Sequence, residues 1–454
     1  MADISIDGAS PEQNKLLNEI AASFTVSPTL LAKVSSEVYD YVTSGLQNPT
    51  TPHGPASWVS MITNDIAKQI RSATKRQRVG LGMTINTQAG RLKIASVKFQ
   101  PDAIVNKQVF FLRKDVVTST QVFEDIAGRV AEFINSHDLQ SEEALSLGVT
   151  IDRPVDESLG GGRVADNVDC GLFGGVDLTL ALNAALLKRH VAVRVVSATN
   201  CVISTLVAAQ HRFHNTSVAL ILNHGINASY YESFGKEGPR VAVNTELARY
   251  GEHSSSALPH TLWDHRLDRE SSNTGTHTFE KLVADKYLGE IVRNLVTDFM
   301  DAQLIFAKNS DASVFSAPYS FFTSYMATMD DASDDLNGIG DLLRAGFNIQ
   351  ASLVDRQIVR ALCRIVSMRA AKLVGAAVAG IVKKASESGG SSSRAAVVSI
   401  SGQLTEINQP YVQCTTETAL MLIGELGLPA PTFNVLGEDG YTVGAALSSL
   451  TPLV

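Results

Sequence analysis

The 454-residue chain is poor in cysteine and in charge, and no apolar run in it is long enough to span a bilayer. Its four cysteines, Cys170, Cys201, Cys363 and Cys414, stand far apart with no CxxC pair. That spacing argues against a disulfide framework or a structural zinc site and fits a reducing compartment. Charged residues make up only 19%, but hydrophobic residues reach 44%, which excludes a mainly disordered chain. The longest apolar stretch, Leu373 to Val382, falls short of the roughly 20 residues that cross a membrane. It reads as a buried small-residue helix. Positive charge is the scarcer sign, 38 Lys and Arg against 46 Asp and Glu, so the net charge is −8. Such a balance draws the chain neither to nucleic acid nor to anionic lipid. The opening Met1-Ala-Asp-Ile-Ser-Ile-Asp7 is acidic and lacks an apolar signal core, so the expected location is intracellular, cytoplasmic by default. Lys75-Arg-Gln-Arg78 would permit nuclear entry, and association with mitochondria stays open.

Familiar short motifs are also missing. Gly160-Gly-Gly162 has neither GxGxxG spacing nor a following Gly-Lys-Ser/Thr, and reads as a surface loop. His211 and His214 share a helix face without a third ligand nearby, so no metal site is assigned. What is present is an α/β pattern. Ser10-Pro and Ser27-Pro mark helix starts, and helices are expected over residues 10–72. Alternating apolar residues from Val79 to Phe111 predict a strand meander, followed by a helix over Val117–Asn135. Strands are expected at Leu145–Ile151, Val191–Ser197, Val218–Leu222 and Ala395–Ile400, with a helix at Val176–Lys188. Phe279–Met300 and Val354–Lys384 read as long helices, and Ser386–Ser393 as a flexible linker. Two blocks of alternating elements imply more than one lobe, with no evident sequence repeat.

Longer segments carry a resemblance. Val243-Asn-Thr-Glu246, Leu258-Pro and Thr274-Gly-Thr-His-Thr-Phe-Glu-Lys-Leu-Val-Ala-Asp-Lys-Tyr-Leu-Gly-Glu290 resemble the eukaryotic hexokinase patterns NTEWGAF, LP and PGQQxFEKMxxGxYLGE. Arg360–Lys384 is similar to the family's long RAA-containing helix, and Glu438-Asp-Gly440 with Gly444-Ala-Ala-Leu447 to its terminal EDGSGxGAAL. The match runs in order over roughly Thr84 to Leu447. It implies an α/β, two-lobed actin-like ATPase fold (a duplicated ribonuclease H-like unit) with a sugar cleft between the lobes. On that frame, residues 1–74 would be N-terminal helices packing on the large lobe, 75–203 the small lobe and 204–454 the large lobe.

The resemblance also exposes departures. The family's first phosphate loop, DLGGTNxRV, is here Asn86-Thr-Gln-Ala-Gly-Arg-Leu-Lys-Ile94, with Asn86 for the Asp and Gln88 and Ala89 for both glycines. Amides that cradle phosphate need a glycine-permitted backbone. Asp152 replaces the sugar-contacting Ser, and Asp169-Cys170 the sugar-binding Thr-Lys. Cys201 stands where the family has its base Asp. The second phosphate loop, GTGxNA, reads Asn223-His224-Gly225-Ile-Asn227-Ala, and VDGSxF reads Ile400-Ser401-Gly402-Gln-Leu404. The adenosine-side turn keeps Gly440 and Gly444 but has Tyr441-Thr442 for Ser-Gly. Asn200, Asn227, Glu246 and Glu280 match the family's hexose ligands, and two carboxylates with two amides suit vicinal hydroxyls.

The resemblance therefore implies a hexose ligand and ATP-Mg as co-substrate, with no catalytic group intact. A lost base typically costs about 10²–10⁴ in rate. The expected function is that of a catalytically impaired, sugar-sensing or regulatory partner of unidentified proteins, similar to the atypical fungal hexokinase-like regulators of carbon metabolism and starvation response. The alternative is an ATP-dependent hexose phosphotransferase of low or altered activity.

Overall fold

The computed structural model describes residues 4–47, 58–63, 79–99, 103–141, 143–156, 162–166, 168–233, 240–252, 256–306, 313–330, 336–388 and 395–450. In chain order the first elements are α1 (Pro11–Ser23), α2 (Pro28–Gln47), β1 (Trp58–Thr63), β2 (Val79–Asn86), β3 (Arg91–Lys98) and β4 (Ala103–Phe111). Then come α3 (Ser119–Ser136), β5 (Leu145–Ile151), the short β6 (Val155–Asp156) and β7 (Arg163–Val164), α4 (Leu178–Lys188), β8 (Val193–Asn200) and α5 (Cys201–Phe213). The second half opens with β9 (Thr216–Leu222), β10 (Ile226–Ser233), β11 (Arg240–Asn244), α6 (Leu262–Glu270), α7 (Thr278–Val283), α8 (Asp285–Asp301), α9 (Thr323–Asp330) and α10 (Asn337–Phe347). It closes with α11 (Leu353–Glu387), β12 (Val397–Ser401), α12 (Leu404–Ile407), α13 (Gln409–Glu425), β13 (Thr432–Gly437) and α14 (Gly440–Ser448).

The helix starts follow the capping chemistry in the sequence. Ser10 caps α1 in a reciprocal box with Gln13, Thr118 caps α3 with Gln121, and Ser352 caps α11 with Asp355. Two sheets result. The first has the order β4-β3-β2-β5-β8, an antiparallel meander continued by two parallel strands. The second repeats it as β11-β10-β9-β12-β13, with β1 added antiparallel at the β11 edge. This duplicated topology is the two-lobed actin-like ATPase fold.

One core joins α1 and α2 to β9, β10, α8 and α11, and a second joins α3 and α4 to the first sheet. A third lies between the sheets and is built from α5 and α14, with Val202, Leu206, Ala446 and Leu447 meeting Ala95, Val97 and Ala219. α14 reaches the first sheet through glycine. A Cβ on Gly148 would sit 1.9 Å from Ala445 O, and one on Gly444 1.8 Å from Ser204 O. α11 is long and apolar enough to cross a membrane, but 83% of its most apolar window is buried in the core.

Several expectations need correction. Residues 58–63 form a strand paired with β11, not a helix, because the register of Val243 and Asn244 offers a free edge there. Residues 48–57 and 64–78, including the Lys75–Arg78 patch, lie outside the described residues, as do Gly160, Gly161 and most of the Ser386–Ser393 linker. The expected Phe279–Met300 helix is two helices broken at Ala284 (φ −87°, ψ 150°). The break frees Asp285 N to donate to Asn223 O at 3.1 Å. Finally, α14 falls within the span assigned to the large lobe, but it packs on β2 and β5 of the small-lobe sheet.

Candidate functional site

Strand ends and helix starts converge on a cleft of about 890 Å³ between the lobes. Its small-lobe wall carries Asn86, Gln88, Asp152 and Cys170, and Asn200 and Cys201 form its floor at the start of α5. The large-lobe wall carries Asn223, His224, Gly225, Asn227, Glu246 and Glu280. Tyr441 closes one side.

The first loop is bonded to the end of β5 and to itself. Asp152 Oδ1 accepts from Thr87 N (3.0 Å) and Thr87 Oγ1 (2.8 Å), and Asp152 Oδ2 accepts from Gln88 N (3.2 Å). Asn86 Oδ1 takes the next amide, Ala89 N, at 2.8 Å. Arg153 Nε donates to Thr87 Oγ1 at 2.7 Å and lies 4.0 Å from Asp152 Oδ1. Three consecutive amides are thus satisfied by side chains of the chain itself.

Cys201 opens α5. Asn200 caps that helix, accepting from Val202 N at 2.8 Å while its Nδ2 donates to Arg153 O at 2.7 Å. Burial, and then the nearby Asp152 charge, push the Cys201 thiol far above its ordinary range, so it stays protonated at neutral pH. Tyr441 lies beside it, beneath the Lys93 ammonium 5.6 Å from the ring. Lys93 in turn donates to Asp439 Oδ1 at 2.7 Å.

The large-lobe wall is a polar lattice. Glu246 adopts a left-handed backbone (φ 48°), which turns its carboxylate back onto β10 and β11. Its Oε1 accepts from Asn244 Nδ2 (2.7 Å) and Asn227 Nδ2 (3.2 Å), and Asn227 Oδ1 accepts from Ala228 N (2.8 Å) and Leu247 N (3.2 Å). Burial raises the Glu246 carboxyl above the usual range, against the hydrogen bond from Asn244 and the charge of Arg249. Glu280 Oε2 accepts from Ile226 N at 3.4 Å, and its Oε1 lies 3.3 Å from His277 Nδ1. A Cβ on Gly225 would meet Glu280 Oε2 at 2.5 Å, so a side chain there would push the Glu280 carboxylate aside. His224 Nδ1 lies 3.0 Å from Asp285 Oδ2.

The other residues singled out in the sequence sit elsewhere. Ala89 is not part of the cleft lining. Ser401 is buried, donating to Gly437 O at 2.6 Å, and Gly402 (φ 117°) packs on the carbonyl of Leu222. Gly440 packs on the Ser401 side chain. Thr442 is hydrogen-bonded to Thr84 at 2.8 Å, and Gly444 packs on α5. The Asp169 side chain lies outside the described residues. Sequence reasoning missed Arg153, Asp166, Glu252 and His277, all in the cleft lining. Of these, His277 had a readable signal, its i,i+3 spacing to Glu280 at a helix start. No cluster of three or more His, Cys, Asp or Glu able to hold a metal occurs among the described residues.

Family models described as hexokinase match residues 16–211 and 217–451. The chain belongs to the hexokinase family. It is 31% identical over 350 residues to hexokinase-7 of Oryza sativa subsp. japonica, covering 72% of this chain and 74% of that one. It is 32% identical over 357 residues to hexokinase-1 of Nicotiana tabacum, covering 73% and 70%. A hexokinase of Kluyveromyces lactis is 30% identical over 287 residues, 59% of each chain. The solved hexokinase from Schistosoma mansoni, complexed with glucose, shares the fold at a TM-score of 0.80 with 22% identity, over 97% of this chain and 99% of that one.

Proposed function

We propose that this hexokinase-family chain binds a hexose in the interlobe cleft but has lost rapid phosphoryl transfer, and that it acts as a sugar-responsive regulatory partner in carbon metabolism and starvation response. The observation that carries the reading is Cys201. Where the family's patterns place a carboxylate base, this chain has a buried thiol whose proton is held tightly by burial and by the Asp152 charge. A group that stays protonated at neutral pH cannot accept a hydroxyl proton as a general base.

The family's ATP-Mg does not fit the residues present. The amides of Thr87, Gln88 and Ala89 already have acceptors in Asp152 and Asn86. Both glycines of that loop are replaced. On the sugar side, Asn244 and Asn227 both donate to Glu246 Oε1, which holds that carboxylate in one orientation as a preorganised acceptor for a sugar hydroxyl. Lobe closure on a sugar would bias a two-state hinge that a protein partner reads. The regulatory role itself rests on resemblance to the atypical fungal members.

The test pairs two measurements on purified protein. A coupled assay with glucose and ATP should give turnover at least about 10⁴-fold below the usual enzyme median of about 10 per second. A melting series in millimolar glucose should rise with ligand as RT ln(1 + [L]/Kd), and Glu246→Ala should flatten it. Turnover between those two values would establish the alternative, a phosphotransferase of low or altered activity, and turnover near the median would overturn the proposed loss. A flat series for several hexoses would leave a protein without a sugar ligand.

A further inference from the structure

We propose that Asp152 is a resident anion seated in a latent phosphate site, and that its carboxylate excludes nucleotide phosphate by occupying the amides that would receive it. The inference rests on the reading above that nucleotide is not held productively, and it supplies a cause within the chain. Consecutive backbone N–H groups at a strand–turn junction form an anion-binding concavity. Here the Thr87 and Gln88 amides point at one carboxylate, with Thr87 Oγ1 as a third donor to it. The Arg153 guanidinium lies beside the same carboxylate. Two amides and a hydroxyl donating to one oxyanion, with a guanidinium 4.0 Å away that donates to that hydroxyl, resemble the donor set of a phosphate site. The occupant is a side chain from the end of β5, placed by the parallel register that sets Ile85 against Ile151.

The adjacent Gln88 side chain extends along the same cleft. Gln88 Nε2 lies 3.9 Å from where a Cβ on Gly225 would be, so the Gln88 side chain reaches across to the second loop. Phosphate seated on the Thr87 and Gln88 amides would have to displace Asp152. Removing the carboxylate leaves its donors unpaired, and an external anion then gains what Asp152 now takes.

The probe is inorganic pyrophosphate, followed by calorimetry on the full chain. Asp152→Ser should bind it at least about tenfold more tightly than the unsubstituted protein, as expected when charge-assisted hydrogen bonds are released to a ligand. Asp166→Ser removes the same charge from the same cleft lining but touches neither Thr87 nor Gln88. It should leave binding within a few-fold of the unsubstituted protein. Equal gains in both variants would make the effect one of net charge and overturn the proposal, as would no gain in a folded Asp152→Ser protein. Should Asp152→Ser fail to fold, hydrogen exchange on the unsubstituted chain decides. The Thr87 and Gln88 amides should be protected and unchanged by millimolar pyrophosphate, and fast exchange that slows on adding it would overturn the assignment. Glucose turnover by the unsubstituted protein tests the proposed catalytic loss separately from these comparisons.

Discussion

Arg369 grips Asp264 inside the large lobe through two hydrogen bonds, Nη1 to Oδ2 at 2.6 Å and Nη2 to Oδ1 at 2.8 Å. The pair ties α11 to α6, and the guanidinium also stacks over Phe24 of the N-terminal helices at 4.3 Å. Thr261 completes the carboxylate's shell, donating from its N and Oγ1 at 2.7 Å each. Burial alone would raise the Asp264 pKa, but the charge and hydrogen bonds of Arg369 outweigh it and hold the group below the usual range. Breaking such a pair on one side leaves a buried, uncompensated charge and typically costs about 3–5 kcal/mol. Asp264→Asn should therefore lower stability by that order at neutral pH in denaturant unfolding. A depressed folded pKa contributes stability that is present above the unfolded value of about 3.9 and lost as pH falls through the folded one. The gap between variant and parent should narrow in acid, and a gap independent of pH would contradict the assignment.

Cys201 is predicted to resist alkylation. Thiolate is the reactive form, and burial together with the Asp152 charge keeps this thiol protonated. Iodoacetamide at neutral pH should label it far more slowly in the folded chain than after denaturation, by peptide mass mapping. Cys201→Asp alone should leave turnover at least about 10³-fold below the usual enzyme median, because the first loop keeps its internal acceptors. Recovery of ordinary turnover from that single change would show that the loops still position ATP.

Glu246 presents a trade between stability and binding. Its folded pKa is raised, mainly by burial, so its favourable contribution is complete below the unfolded value of about 4.3 and is lost as pH rises through the folded value. Glu246→Gln keeps an oxygen to accept from Asn244 and Asn227 and removes the buried charge. The variant should melt higher than its parent at pH 7, with the two converging in acid. Glucose binding should weaken by roughly tenfold or more, the usual value of a charge-assisted hydrogen bond. Equal melting temperatures across pH would show that Glu246 is not paying a burial penalty.

The fold was legible where local chemistry decides it. Ser10 and Ser27, each followed by proline, announce helix starts, and the Val79–Phe111 alternation announces the meander. The duplication was legible through the family resemblance and not through any internal repeat, because the two sheets share topology through strand order and not through like residues. The break at Ala284 was hidden because Phe279–Met300 keeps helical periodicity. What interrupts it is a tertiary bond from Asp285 N to Asn223 O, distant in sequence. The sugar-side residues were readable from their motif context. The Asp152 contacts were not, since a carboxylate 64 residues from Gln88 gives no local sign of its partner.

The close approach of α14 to its neighbours yields the last prediction, a contrast between two helical glycines. A Cβ on Gly444 would sit 1.8 Å from the Ser204 carbonyl oxygen and 2.5 Å from its carbon, both backbone atoms of α5 that no rotamer change can move. These two helices fill the space between the sheets, so separating them disturbs the core that joins the lobes. Overpacking of this kind costs about 1–3 kcal/mol where the surroundings can shift, and more where they cannot. Gly444→Ala should therefore destabilise by at least that amount. Gly424, in α13, is exposed, and a Cβ there meets nothing within 4 Å. Gly424 lies in the last turn of α13, where replacing glycine with alanine in open space gains up to about 0.5–1 kcal/mol, because glycine loses the most backbone freedom on folding. Gly424→Ala should accordingly raise the melting temperature while Gly444→Ala lowers it. Shifts of the same sign in both variants would mean that helix propensity, and not the contact between α14 and α5, sets the outcome at Gly444.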